Sequence, residues 1–208
     1  MSPDSSRSTP KSLVAIDLGF VHDYEVELIE DGAASGATAA TTTTRKIRIP
    51  DAGEDVDAVT VCVTPRGAAP WVGSFARGFA SDDLVSGIYA WPDAASLCVV
   101  SAGYGYVVKA ADPKNWVRLQ PMPITDVRLF AEHKLIVFTD FTHMFAYNAE
   151  KNLWKSDRLS WDGITVSQVA TNHIFGLAWD ATLDKEVEFA IDVRNGQHTG
   201  GAQPWSRR

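Results

Sequence analysis

Apolar and polar residues alternate along much of the chain at a period of two, the spacing of strands with one buried face. Residues 13 to 30 read as two strands, LVAIDLGF and YEVELIE, with acids alternating against Val26 and Leu28 in the second. RKIRI at 45 to 49 alternates in the same way with bases. The two segments predict a hairpin in which Val26 and Leu28 share a buried face with Ile47 and Ile49. Its outer face would set Glu25 and Glu27 across from Lys46 and Arg48, because opposite charges on facing strands are favourable. The intervening residues 31 to 44, DGAASGATAATTTT, lack an apolar anchor and predict a long mobile loop. AVTVCVT at 58 to 64 predicts a further strand, set in turn-rich sequence that runs to residue 83.

From residue 84 the texture becomes periodic. SLCVVSAGYGYVVKAADPKNW (96 to 116) lies on KLIVFTDFTHMFAYNAEKNLW (134 to 154) at an offset of 38, with Leu97 on Leu135, Val99 on Val137, Val107 on Phe145 and Trp116 on Trp154. A third copy places Ile174 after Ile136, and an insertion then shifts Phe145 onto Phe189. Ile88, Val127 and Val166 would open the three units. Each unit predicts four short strands in about 40 residues, the spacing of a propeller blade. In this periodicity the chain resembles β-propeller blade repeats over residues 84 to 201, and its texture is similar to that of acidic bacterial proteins of uncharacterised families. The resemblance implies an all-β fold of antiparallel meanders in three blade-like repeats plus N-terminal strands, and it implies no activity. A twisted β-sandwich or open barrel stays open as the alternative. The organisation expected is a disordered leader (1–12), the N-terminal β hairpin and connector (13–83), the repeats (84–201) and a tail (202–208), all within one structural domain.

Composition narrows the function classes. With 208 residues, 45% of them hydrophobic, the chain can bury a sizeable core. Its net charge of -7 argues against a nucleic-acid binder, which needs a basic face to displace counterions. The first residues carry no apolar run of a secretory signal, and no later run reaches the length of a membrane span, so a cytoplasmic protein is expected. Cys62 and Cys98 sit in apolar strand-like contexts without metal spacing and read as reduced, buried side chains.

Candidate chemistry is sparse. Asp140 and His143 lie three apart in TDFTH, with Asp126 in a preceding strand, and could act as a general acid and base. Residues of these types at that spacing also hold turns through hydrogen bonds from side chain to backbone. The five histidines show no HxH or HExxH spacing, which leaves no expected metal site and no expected cofactor. Gly103-Tyr104-Gly105-Tyr106 lacks the third glycine and the helix of a dinucleotide loop and reads as a hairpin turn. Trp161 with Asp157 and Asp162 presents an aromatic rimmed by acids, the composition of a protein-binding hot spot. Glu54, Asp55 and Asp57 form a second acidic patch.

Two readings of function follow. The first is a non-catalytic protein-binding module, of which an immunity-type inhibitor masking a basic toxin or enzyme domain is one form. The second is a hydrolase or small-molecule-binding enzyme built on Asp126, Asp140 and His143. The first expects another protein with a basic surface as partner, and neither nucleic acid nor membrane.

Overall fold

The computed structural model describes residues 14–29, 45–50, 58–81, 84–150 and 152–202. These residues form four β-sheets, none of them closed into a barrel. The all-β expectation is met. Sheet I consists of β2 (Tyr24–Ile29), β4 (Ala58–Pro65), β5 (Trp71–Ala76) and β3 (Arg45–Ile49), in that spatial order. Sheet II runs β1 (Ala15–Asp17), β6 (Gly87–Ala90), β7 (Ser96–Ser101), β8 (Tyr104–Lys109) and β9 (Asp112–Arg118). Sheet III is the meander β10 (Asp126–Phe130), β11 (Leu135–Thr139), β12 (Met144–Tyr147) and β13 (Asn152–Lys155). Sheet IV is the meander β14 (Ile164–Val169), β15 (His173–Asp180), β16 (Lys185–Asp192) and β17 (His198–Gly200).

The three repeats are therefore three four-stranded antiparallel meanders, opened by the strands that carry Ile88, Val127 and Val166. Tight turns make them possible. Ala102 and Gly103 both have positive φ, 43° and 83°, as the primed turn of a two-residue hairpin requires. The turn predicted at residues 103 to 106 thus sits one residue earlier, and Tyr104 already pairs with Ser101.

The sheets stack in series through three apolar layers. Val61, Val63, Trp71 and Phe75 of sheet I meet Ile88, Leu97, Val99 and Tyr106 of sheet II. The opposite face of sheet II, with Tyr89, Cys98 and Val100, meets Ile136, Phe138, Phe145 and Tyr147 of sheet III. Leu135, Val137 and Met144 on the far face of sheet III then meet Ile174, Phe189 and Ile191 of sheet IV. Strands β7 and β11 are buried at every position, which is why SLCVVS and LIVFT are continuous apolar runs rather than alternating ones. Among the described residues no apolar cluster joins sheet I to sheet IV.

Two sequence expectations are corrected. β2 does not pair with β3: it pairs antiparallel with β4, while β3 lies parallel to β5 at the other edge of sheet I. Val26, Leu28, Ile47 and Ile49 do share one buried face, but the acids and bases occupy opposite edges of the sheet. The backbone of the hydrophobic AVTVCVT strand competes better for β2 than charge pairing does, since exposed pairs contribute at most about 1 kcal/mol. The second correction is register. Trp116 pairs with Val108 and Trp154 with Ala146, so the closing strands keep the offset of 38, but Ile88 pairs with Val99 whereas Val127 pairs with Phe138, one position beyond Val137. Ile88 and Val127 therefore lie on opposite faces of the aligned strands, because a slip of one residue in a β alignment exchanges the two faces. The loop expected at 31–44 lies outside the described residues.

Candidate functional site

Asp140 to His143 form the turn between β11 and β12, closed by the Asp140 N–H donating to the His143 carbonyl at 3.0 Å. Asp140 Oδ1 accepts from the N–H of Thr142 (2.7 Å), the N–H of His143 (2.7 Å) and the Thr142 hydroxyl (3.0 Å). The same hydroxyl lies 2.6 Å from His143 Nδ1. A hydroxyl donates once, so with Thr142 donating to Asp140 the Nδ1 atom carries the proton and donates to Oγ1. Burial, with Lys155 adding to it, holds the His143 imidazole below its ordinary pKa, and Asp140 opposes that shift.

Asp126 opens β10, opposite Thr139, one residue before the turn. Its Oδ2 accepts from Arg128 Nε at 2.8 Å, and burial raises its pKa above the usual carboxylate range against the pull of that guanidinium. Among the described residues no hydrogen bond or ion pair joins Asp126 to Asp140 or His143. The carboxylate of Asp140 is committed to its own turn. That geometry holds a loop rather than poising a proton donor.

The connection from β13 to β14, residues 156 to 163, crosses this turn. The Leu159 N–H donates to the Thr142 carbonyl and that of Gly163 to Phe141, each at 2.9 Å. The Trp161 N–H donates to the Trp179 carbonyl at 2.9 Å, tying the segment to sheet IV as well. Buried Ser160 completes the anchor: its hydroxyl donates to the Gly163 carbonyl at 2.6 Å and accepts the Trp179 N–H at 3.0 Å. On this pinned segment the Arg158 guanidinium lies 5.0 Å from the centre of the Trp161 ring. Asp157 and Asp162 on either side are exposed, and so is Phe141 at 42%.

The structure thus gathers Asp140, His143, Asp157, Trp161 and Asp162 at one end of sheets III and IV. Arg158 and Phe141 belong to the same surface and were not singled out in the sequence. The spacing of Arg158 three residues before Trp161 was the available signal. Glu54, Asp55 and Asp57 lie outside the described residues.

The opposite end of the molecule carries a cleft of about 430 Å³ between sheets II and III, with Trp91, Trp116 and Tyr147 in its wall. Its polar groups largely serve one another: Lys109 Nζ is 3.1 Å from Asp93 Oδ2, and Asn152 donates to Gln120 Oε1 at 3.4 Å. Among the described residues no group of three or more His, Cys, Asp or Glu is placed to hold a metal ion. No helix there is long and apolar enough to cross a membrane. No protein-family model, curated protein or solved structure matches the chain.

Proposed function

We propose that this chain is a non-catalytic protein-binding module that acts in the cytoplasm by masking a basic surface of another protein, in the manner of an immunity-type inhibitor. Its contact surface is the end of sheets III and IV that carries Phe141, Arg158 and Trp161. The observation that carries the reading is the Arg158–Trp161 stack on a segment held by hydrogen bonds from both sheets. Tryptophan and arginine dominate binding hot spots, and a surface already fixed in place loses little entropy on association. Exposed Asp157 and Asp162 flank the stack, and the net charge of -7 attracts a basic partner from a distance while repelling phosphate backbones.

The test is affinity capture from the native source with the wild-type chain, with the double variant Trp161→Ala/Arg158→Ala, and with Asp140→Asn/His143→Gln. A partner captured by wild type and by the turn variant, and lost with the stack variant, supports the reading. Retention of every partner by the stack variant, with loss of cellular activity only on changing Asp140 and His143, moves the assignment to the enzyme.

A further inference from the structure

Sheet IV ends the stack, yet the outer side of its strand β15 is composed like an inner one. His173, Phe175, Leu177 and Trp179 of β15 point away from sheet III, while Ile174, Gly176 and Ala178 point toward it. A strand apolar on both faces is the pattern of β7 and β11, each of which is covered on both sides. Phe175 is instead 36% exposed. Beyond this apolar band, β16 turns Glu186 and Glu188 outward, where Glu186 lies beside Trp179 and Glu188 beside Leu177.

Sheet I ends the other side of the stack with a contrasting face. Thr60, Cys62, Val72 and Ser74 give its central strands small side chains, all half-buried, whereas the central strand β15 of sheet IV turns large ones outward. The register sets them in rows, Glu27–Cys62–Val72–Lys46 and Ile29–Thr60–Ser74–Arg48, both basic at the β3 edge, with an acid at the β2 edge of the first and an isoleucine at that of the second. Within the chain, β4 and β5 lie over β7, and Trp71 of β5 reaches the carbonyl of Ala110 just beyond β8. The same alignment of sheet IV against a sheet I would set β16, with Glu186 and Glu188, on the side of Lys46 and Arg48. Reversing the alignment would set them against Glu25 and Glu27.

From this match of size and charge we infer that the outer face of sheet IV docks on the outer face of sheet I of a second copy of this chain. The contact joins two different surfaces, so each dimer keeps one free face of each kind and association continues with concentration. Cys62 lies on the covered face and reports on it directly. Cys98 is fully buried and silent.

The full chain is followed by sedimentation velocity over a concentration series, with the rate of maleimide addition to Cys62 measured in parallel. The expected result is a sedimentation coefficient that rises with concentration while Cys62 labelling slows. Glu186→Lys/Glu188→Lys should weaken self-association about tenfold or more by setting like charges together. Mixing it with Lys46→Glu/Arg48→Glu should restore association between the two variants. A monomer at every concentration overturns the inference. So does association that leaves Cys62 labelling unchanged, since sheet I would then stay uncovered whether sheet IV met another sheet IV or an unrelated surface.

Discussion

The indole N–H of Trp154 donates to the main-chain carbonyl of Val193 across 2.9 Å, joining sheet III to the end of β16. Trp71 makes the corresponding bond from sheet I to Ala110 at 2.7 Å. Both rings are buried, so each fills a layer and satisfies a carbonyl that water does not reach.

Replacing Trp154 by Phe keeps most of the apolar contact and removes the donor. The cost should be about 1 to 3 kcal/mol, that of leaving a buried acceptor without a partner. Urea unfolding should show a lower midpoint with an unchanged slope.

Gly176 sits in the centre of β15, where an added Cβ would stand 2.3 Å from the Thr165 carbonyl oxygen and 2.6 Å from the Phe189 ring. Backbone on one side and a packed ring on the other leave nothing that can yield cheaply. Gly176→Ala should destabilise the fold by about 1 to 3 kcal/mol, read as a lower melting temperature, although alanine suits most strands better than glycine does.

Asp140→Ala removes the acceptor of three hydrogen bonds and should cost about 1 to 2 kcal/mol, the scale of a lost cap. Asp140→Asn keeps an oxygen at the same place and should recover most of that loss. A residue needed as an acid or base would not be rescued by asparagine, so comparing stability and cellular activity for the two variants separates the roles.

The lowered pKa of His143 makes stability depend on pH in a stated direction. The unfolded chain takes up a proton near the ordinary histidine value of about 6.5, before the folded chain does. The contribution is fully present above that value and is lost as pH falls through the lower folded value. Urea midpoints should therefore decline on that side, and His143→Gln should flatten the decline.

Burial raises the thiol pKa of Cys98 strongly, and that of Cys62 is raised by burial and by Glu27. Under native conditions modification should be confined to Cys62 and should be slow at neutral pH, since the thiolate is the reactive form. Mass spectrometry of labelled peptides checks the order; Cys98 should react only once the chain unfolds.

The strands of residues 84 to 201 were legible because Val, Ile, Phe and Tyr recur between turn residues, and twelve antiparallel strands result, with one short 3-10 turn at Ala131–His133. The role of Asp140 in a turn was legible for the same reason, since short polar side chains bond their own backbone locally. Pairing across long separations was not. Glu25 and Lys46 suggested partners by charge, but burial of Val61 and Val63 decides which strand lies beside β2. Strands buried on both faces also hide their register, because LIVFT offers no polar position to mark which side is which. The Arg158–Trp161 stack was legible only as a spacing of three residues, because its geometry depends on a connection that two sheets fix from outside.

The serial order of the sheets has an energetic consequence. Each layer is coupled only to the layers beside it, so the molecule approaches a one-dimensional chain of three couplings, and local opening is least costly at its ends. Amide exchange should be slowest in β7 and β11, faster in β4 and fastest in β14 and β17. Weakening the central coupling, through Phe138 or Tyr147, would then do more than lower stability. It would divide one cooperative transition into two, each half unfolding with its own midpoint.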